Sequence, residues 1–449
     1  MAWQFQICRI EWTPSGETVT CTDIGASVFE YFPSSPPLGI VRTQGRQRGS
    51  TPITHTAPNV TETVRVKFAA ASFWTGFRAL ETALERALLW AEGDRRDMRA
   101  VVRFCDSARH GTTYYESPLI DGRITLERGP VLSLAWERGP YWVGPEVPLP
   151  VVNNWVTYSG EVTPGEGGYY DYAQVTNADD GTATRCNWVV LTPPSGDVPS
   201  PVRLRIQNNY ITGRLKTVRV GWNDRPQALV LEGENSETGP TITNGTQYSN
   251  MAIGASNRFQ WKIEQTSVRD FSGPFQVWAN GRLSGSTWRV ASGYALTRKQ
   301  YGTRAAVDGE NGWTNLGSLS FPPGGYVHPA RYPVTVWLDG SGTGSLDFLL
   351  FLPQRQHRWL SFTEGYNCQP GACIEDDGWR RELVLEHDGQ RVPILEGFGE
   401  PLMAWPSGLL PGNARQMLTF ALESDSETAE ADRSAIVQVF ARPHYRTLP

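Results

Sequence analysis

Residues 63–93 of the chain are TVRVKFAAASFWTGFRALETALERALLWAEG, and the spacing of the apolar residues changes partway along this segment. Val64 and Val66 alternate with polar residues, which predicts a strand. From residue 73 onwards the apolar residues recur every three or four positions, which predicts one amphipathic helix over residues 73–92 with a core-facing stripe. That stripe comprises Phe73, Phe77, Leu80, Leu84, Leu88 and Ala91, with Trp74 and Ala87 beside it. Ser72 is a suitable N-cap residue and Gly93 is suited to end the helix.

The segments around this helix have the pattern of strands. Residues 3–12 and 99–104 alternate between apolar and polar residues. The segments TTYYESPLI, GRITLER and VLSLAWER follow at hairpin spacing, with predicted turns at Asp121-Gly122 and Gly129-Pro130. Residues 139–150, GPYWVGPEVPLP, are rich in Pro and Gly and predict a boundary, with Tyr141 and Trp142 packed onto the first domain.

Beyond residue 150, short candidate strands alternate with Gly, Pro, Asn or Asp. We therefore predict a mainly β chain, with an N-terminal β-rich domain holding one long helix and a jelly-roll-type β-sandwich after it. The predicted bounds are 1–150 for the first domain, 151–194 for connecting strands and 195–449 for the sandwich, with PPSGDVPSP (193–201) as a linker.

Composition excludes several classes of protein. The net charge of -5 leaves no basic footprint for nucleic acid over the whole chain. No apolar run reaches the ~20 residues that a membrane-spanning helix needs. The segment MAWQFQICRIEWTPSG lacks a basic stretch followed by an apolar core, so we expect no signal peptide and no membrane insertion.

The six cysteines are sparse for a chain of 449 residues, so a disulfide scaffold is not implied. Cys368 and Cys373 flank the turn sequence QPGA. Three interpretations are open: two thiols that face each other across a hairpin, a disulfide across that hairpin, or two half-buried thiols beside a turn. We favour the last.

Motifs for catalysis or metal binding are absent from the sequence, so we expect no catalytic residues, no metal site, no cofactor and no enzyme activity. Glu375-Asp376-Asp377 is the densest acidic run. Alternation along a strand would let only Glu375 and Asp377 cooperate, and we expect the run to lie at a water-screened hairpin tip. NADDGT (177–182) is interpreted as a tight turn rather than half a calcium loop.

The tryptophans of the sandwich are candidates for glycan stacking. On a strand, Trp261 would share a face with the apolar residues Phe259 and Ile263, which indicates a core position. Trp337 would share a face with Thr335 and Asp339, which indicates a solvent-exposed face. Trp313, in the predicted loop DGENGWTN, is the best candidate for a ligand or an interface.

The order of strand, long loop, strand, helix, strand and hairpins resembles the N-terminal domain of siphophage distal tail proteins. The residues that carry the resemblance are the quoted segment 63–93, RAVVRF and ITLERGPVLSLAWERGPYWVG. GDVPSPVRLRIQN is similar to the junction before the carbohydrate-binding-module-like sandwiches of such proteins, and PGNARQMLTFAL with AIVQVFARPHYRTLP is similar to their end.

The resemblance implies a virion structural protein that forms a ring, with six copies as the expected number, at the distal end of the tail tube. It implies partners in the tube protein, in hub or fibre proteins and in further copies of itself, with assembly in the host cytoplasm. The first alternative is a glycan-binding host-adhesion module, and the second is a carbohydrate-active enzyme with close carboxylates in an aromatic cleft.

Overall fold

The computed structural model describes residues 3–13, 16–24, 28–32, 41–42, 53–54, 58–92, 98–149, 155–157, 160–162, 172–176, 183–186, 188–191, 195–198, 200–208, 213–223, 230–233, 249–251, 258–264, 273–292, 301–305, 311–321, 331–353, 357–361, 368–380, 382–394, 397–398, 416–424 and 434–449. NADDGT and Gly93 lie outside these residues.

The first part of the chain forms a long helix and eight strands of a nine-stranded antiparallel sheet, whose ninth strand (His444–Tyr445) comes from the end of the chain. Its elements are β1 (Trp3–Thr13), β2 (Gly16–Asp23), β3 (Val28–Tyr31), β4 (Val41–Arg42), β5 (Ile53–Thr54), β6 (Val60–Lys67), α1 (Phe73–Glu92), β7 (Met98–Asp106), α2 (Ser107–His110), β8 (Tyr115–Leu126), β9 (Val131–Arg138) and β10 (Trp142–Val143). The strand order is β2-β1-β7-β8-β9-β6-β3, with β10 beside β8, while β4 and β5 pair apart from it.

The helix packs on this sheet through the predicted stripe. Leu80, Leu84 and Ala87 are buried in one core with residues of β1, β7 and β9, and Phe77 packs against that core. Trp74 differs from the prediction, because 63% of its surface is exposed. A short 3-10 turn (Ala70–Ser72) precedes α1, and within it the Ser72 hydroxyl donates to the Ala69 carbonyl over 3.3 Å.

Asp121-Gly122 does not form the predicted turn. β8 continues through both residues, with a shift of register between Leu119 and Asp121. Its first half pairs with β7 and its second half with β9. A Cβ atom on Gly122 would lie 2.9 Å from Leu84 Cδ1, so the glycine permits the helix to approach the sheet closely. The turn at Gly129-Pro130 is confirmed, with Gly129 at φ +73°.

The cysteines also depart from the prediction. Cys8 and Cys21 face each other across β1 and β2 and form a disulfide. The sequence prediction missed β2 and therefore this pair. Cys368 and Cys373 are free thiols and are both buried, deeper than the half-buried thiols predicted. Burial raises the pKa of Cys368 to about 12.

The rest of the chain is also built from strands. They are β11 (Val147–Pro148), β12 (Trp155–Thr157), β13 (Gly160–Val162), β14 (Tyr172–Thr176), β15 (Ala183–Cys186), β16 (Trp188–Leu191), β17 (Val202–Asn208), β18 (Leu215–Asn223), β19 (Val230–Glu232), β20 (Ser249–Met251), β21 (Arg258–Glu264), β22 (Gly273–Ser292), β23 (Tyr301–Ala305), β24 (Asn311–Phe321), β25 (Arg331–Pro353), β26 (His357–Ser361), β27 (Cys373–Asp377), β28 (Glu382–His387), β29 (Gln390–Pro393), β30 (Gly397–Phe398), β31 (Gln416–Ser424), β32 (Ser434–Ala441) and β33 (His444–Tyr445).

Two of the sheets pack face to face as a sandwich. An eight-stranded sheet has the order β15-β14-β32-β17-β27-β28-β29, with β11 also beside β32, and a five-stranded sheet has the order β16-β31-β18-β26-β30. One core joins them, with Leu204 and Val437 from the first sheet and Leu215 and Val218 from the second. The mainly β architecture with one long helix is confirmed, whereas the jelly-roll connectivity and the predicted domain bounds remain predictions.

A third sheet is formed within residues 230–353, between two strands that neighbour each other in the sandwich. It comprises β19 to β25, while β18 and β26 on either side of it pair directly. Trp261 and Trp288 are buried in it, as predicted for Trp261. Trp313 lies on β24 opposite Asn280, so it belongs to a strand and not to the predicted loop. No helix in the described part of the chain is long and apolar enough to cross a bilayer.

Candidate functional site at the domain junction

The last strand of the chain returns to the first sheet. β33 pairs with β10, so that Trp142 lies opposite Tyr445 and Val143 opposite His444. Leu448 packs against the first-domain core. The segment AIVQVFARPHYRTLP resembles the end of a sandwich in sequence. In the structure it supplies β32 to the sandwich and then β33 to the first sheet.

Two chain crossings run side by side at this junction. β10 belongs to the first sheet, and β11, four residues later, pairs with β32 of the sandwich. The chain crosses back between β32 and β33, and the Gly144 amide donates to the Pro443 carbonyl over 2.8 Å. The sandwich is thus attached to the first sheet by two adjacent crossings joined by hydrogen bonds, a geometry that restricts hinge motion between them.

His444 is buried at the centre of the junction. Its Nδ1 atom donates to the Arg442 carbonyl over 2.7 Å, and its amide bonds the Ser200 hydroxyl over 3.2 Å. The rings of Tyr141 and Trp379 lie 6.1 and 5.3 Å from the imidazole. Burial lowers the pKa of His444 to about 4, so the ring is neutral at pH 7.

Two carboxylates of the first sheet bind arginines from both sides of the junction. Glu17 Oε1 lies 3.2 Å from Arg380 Nη2 and 3.4 Å from Arg442 Nη2, and it also lies 3.2 Å from Arg99 Nη2 on β7. Glu116 Oε1 is 3.3 Å from both Arg99 Nη2 and Arg442 Nη1. Burial raises the pKa of Glu17, but the three guanidinium groups outweigh burial and hold that pKa below its usual range. These pairs are half-buried and form a network, so they hold the junction more strongly than isolated surface pairs would.

The indole of Trp379 completes the network. The Cζ atoms of Arg99 and Arg442 lie 5.3 and 5.6 Å from its ring centroid, which is within the range of cation–π attraction. One arginine comes from the first sheet and the other from the sandwich. The ring therefore binds both sides of the junction.

A cavity of about 380 Å³ opens beside this network. Five arginines and five carboxylates line it, so its formal charge is zero. Its lining residues are Glu17, Glu146, Pro201, Val202, Arg203, Arg205, Glu375, Asp377, Trp379, Arg380, Glu386, Arg391, Phe440 and Arg442.

The acidic run at 375–377 lies in this region and corrects the sequence prediction. These residues form the end of β27, and all three are buried, with 4 to 6% of their surface exposed. The predicted turn lies at residues 369–372 before the strand, and a second turn follows the strand at residues 378–380. Glu375 is held by Arg391 at 3.1 Å and by Arg203 and Arg205 at 3.4 Å.

Asp377 lies on the same face of the strand as Glu375, as alternation predicts. Its Oδ1 atom accepts the amides of Trp379 and Arg380 over 2.8 and 3.1 Å. Burial raises the pKa of this carboxyl, and the nearby Glu375 charge adds to the rise. The two carboxylates thus face one cavity, but protein donors already occupy both of them.

This arrangement suits mechanical attachment better than chemistry. Its charges neutralise one another, and its rings are already in contact with guanidinium groups, including Phe440, whose ring centroid lies 4.7 Å from Arg203 Cζ. Within the described ranges, no cluster of three or more His, Cys, Asp or Glu side chains is placed to hold a metal ion. Sequence analysis missed Glu17, Arg442 and His444, because their partners are far away along the chain and no local motif marks them.

Two distant structural neighbours of this chain are phage proteins. No protein-family model and no curated protein matches the chain. The crystal structure of the SPP1 Dit (gp 19.1) protein, described as a paradigm of the hub adsorption apparatus in Gram-positive infecting phages, is 11% identical with a TM-score of 0.25 and covers 77% of this chain and 98% of its own. A chain of the phage P2 baseplate in its activated conformation with Ca is 9% identical with a TM-score of 0.28 and covers 99% and 98%. At such TM-scores neither superposition carries an argument about this chain.

Proposed function

We propose that this chain is a structural subunit of a phage virion, placed in a ring at the distal end of the tail tube, where it links the tube to the tail tip. The proposal starts from the resemblance of residues 63–93 and their flanks to distal tail proteins. The order of elements on which the resemblance rests is present in the fold, with α1 packed across β1, β7 and β8.

The observation that carries the proposal is the double attachment at the junction. A subunit that links a tube to outward-facing components has to transmit force between its domains. Here β10 and β33 pair within the first sheet, while the strands adjoining them, β11 and β32, pair within the sandwich. The Glu17 and Glu116 networks reinforce the same place.

The same geometry weighs against the two alternatives at this cavity. Catalysis by paired carboxylates requires an acid and a base whose oxygens reach the substrate. Three arginines surround Glu375, and two backbone amides bind Asp377. A glycan would stack on an open aromatic face, but guanidinium groups contact Trp379 and Phe440. We therefore propose no enzyme activity and no glycan site here.

Gold labelling of virions tests the proposal. Antibodies raised against the purified protein are applied to intact virions, which are then viewed by negative-stain electron microscopy. We expect label at the distal end of the tail only. Label on the capsid or along the tube, or absence of the chain from purified virions by mass spectrometry, would contradict the proposal.

A further inference from the structure

The disulfide between Cys8 and Cys21 holds an edge strand of the first sheet. β2 lies at one end of the strand order, and in the described part of the chain it pairs with β1 alone. Cys8 and Cys21 lie directly opposite each other in that pairing. The disulfide is therefore a covalent tie on a strand that has hydrogen-bonded strand neighbours on one side only.

The same edge strand carries a carboxylate of the domain junction. Glu17 and Cys21 are four residues apart on β2, so alternation along the strand places their side chains on one face of the sheet. On that face Glu17 Oε1 contacts Arg380 at 3.2 Å and Arg442 at 3.4 Å. Arg380 lies between β27 and β28, and Arg442 lies directly after β32. The strand that the disulfide ties down thus contacts residues that adjoin the sandwich strands.

The other end of the disulfide is fixed among buried residues of the same face. Cys8 forms a small buried cluster with Ile10 and Val101, in which at most 2% of any residue is exposed. Val101 lies opposite Cys8 on β7, two residues from Arg99, and Arg99 Nη2 is 3.2 Å from Glu17 Oε1. The disulfide and the Glu17 network therefore occupy neighbouring positions on β1, β2 and β7. A displacement of β2 from β1 moves the Glu17 carboxylate as well.

Thiols approach the disulfide from its β2 side. Cys21 is exposed, whereas Cys8 is fully buried. A thiolate that attacks the Cys21 sulfur forms a mixed disulfide with it and breaks the bond to Cys8, which leaves as a thiolate and takes up a proton. A second thiolate then attacks the mixed disulfide and releases Cys21, and the two attacking thiols end as one small disulfide. The reverse steps, with a small disulfide as the oxidant, restore the bond between Cys8 and Cys21.

We propose that the Cys8–Cys21 disulfide is a redox-sensitive lock on the attachment of the sandwich to the first sheet. In the oxidised chain the bond holds β2 against β1 and keeps Glu17 in contact with Arg380 and Arg442. In the reduced chain β2 opens more often, and the two ion pairs open with it. Thiols stay reduced in a reducing cytosol, whereas disulfides persist in oxidising surroundings, so the attachment is stronger outside a cell than inside it. The inference concerns the chain by itself and does not rest on its proposed place in a tail.

Hydrogen–deuterium exchange of the full chain, with and without tris(2-carboxyethyl)phosphine, tests the lock. One phosphine and one water molecule convert the disulfide to two thiols and the phosphine to its oxide. The two cysteines are 13 residues apart, and opening a loop of about this size should accelerate exchange of β2 amides by up to about a hundredfold. Exchange of β10 and β33 amides should accelerate by about three- to thirtyfold, as expected for the loss of two ion pairs at the junction. Exchange of β3, at the opposite edge of the sheet, should change by less than about threefold.

Glu17→Gln distinguishes the lock from a general loosening of the domain. In this variant, reduction should still accelerate exchange of β2 but should change exchange of β10 and β33 by less than about twofold, because the link through the carboxylate is already lost. The matched control is Glu11→Gln, which makes the same change of charge on β1. Glu11 lies opposite Thr18, so its side chain is on the other face of the sheet, and this variant should respond to reduction as the wild type does.

A variant without the disulfide shows where the reductant acts. Cys8→Ala with Cys21→Ser keeps an apolar side chain at the buried position and a polar one at the exposed position. With or without the phosphine, this variant should exchange as the reduced wild type does. That result would assign the effect to this disulfide and not to the buried free thiols of Cys105, Cys368 and Cys373. If the variant does not fold, the comparison of oxidised and reduced wild type with Glu17→Gln still tests the lock.

Three outcomes would overturn the inference. The first is unchanged exchange of β2 on reduction, since the disulfide would then not hold the strand. The second is faster exchange of β2 with unchanged exchange of β10 and β33, since the bond would then stabilise the hairpin alone. The third is an acceleration of β10 and β33 that persists in full in Glu17→Gln, since the effect would then not pass through this carboxylate. None of them decides the proposed function, which the gold label tests separately.

Discussion

The buried ion pair between Glu62 and Arg138 should be a main determinant of first-domain stability. Neither side chain is exposed, and Glu62 Oε1 lies 2.6 Å from Arg138 Nε. Glu62 Oε2 also accepts the Tyr31 hydroxyl over 2.5 Å, and Arg138 Nη1 donates to the Gly139 carbonyl over 2.8 Å. Burial, together with the Glu62 charge, raises the pKa of Tyr31, so its hydroxyl stays protonated and donates.

Glu62→Gln should be strongly destabilising. The substitution nearly preserves the shape but removes the carboxylate charge that lies beside the buried Arg138 guanidinium, which costs about 3–5 kcal/mol. A domain is stable by about 5–15 kcal/mol, so this loss amounts to about a fifth of the stability at least and to all of it at most. Hydrogen–deuterium exchange of β6 and β9 peptides in the full chain should accelerate by roughly a hundredfold to a few thousandfold.

Two further variants make this test decisive. Glu137→Gln on β9 serves as the matched control, since the Glu137 carboxylate accepts an exposed hydrogen bond from the Asn59 side chain, and exchange should change by less than about threefold. Glu62→Met with Arg138→Met removes both charges and should recover most of the protection. If Glu62→Gln alters the exchange of β6 and β9 no more than the control does, the stabilising role assigned to this pair is wrong.

Three other predictions concern the helix, the junction and the acidic run. Leu84→Asp should prevent the first domain from folding, because a lone buried carboxylate costs several kcal/mol, and an unchanged melting temperature would contradict the packing of α1. Burial lowers the pKa of His444, so the neutral ring contributes fully to the free energy of unfolding above about pH 6.5. That contribution, up to about 3 kcal/mol, is lost as the pH falls towards 4. Exchange of β10 and β33 amides should thus accelerate over that pH range, and His444→Asn should flatten the dependence. Incubation with host cell-wall polysaccharide should release no reducing ends; release that disappears in Glu375→Gln or Asp377→Asn would show an enzyme.

Local periodicity was enough to predict the elements near the start of the chain. The apolar stripe of α1 and the alternation of β1 are local properties, and both are found with nearly the predicted bounds. Trp74 deviates because a stripe several residues wide includes positions at its edge that the sheet does not cover. Asp121-Gly122 deviates because the same dipeptide suits a hairpin turn and a strand approached closely by a helix.

Non-local partners explain the remaining errors. Glu375, Asp376 and Asp377 have low strand propensity, which favours a loop. Arg203 and Arg205 come from the neighbouring strand β17, and Arg391 comes from β29, and together they make burial of Glu375 tolerable. Nothing near residue 375 in the sequence indicates those contacts.

The return of the chain to the first sheet was hidden for the same reason. The segment of β33 is two residues long, and its strand partner is β10, about three hundred residues earlier. The disulfide between Cys8 and Cys21 required β2, whose residues GETVTCTD carry only a weak apolar pattern. The candidate site at the junction is therefore a product of tertiary structure, with no motif of its own.

An electron cryo-microscopy reconstruction of the tail tip of virions that contain this chain tests the central claim most directly. The account predicts a closed ring of copies at the distal end of the tube, with the nine-stranded sheet in the ring and the sandwich attached through β10 and β33. A tail tip whose ring density does not fit this sheet and helix, or a chain found only outside the virion, would contradict it.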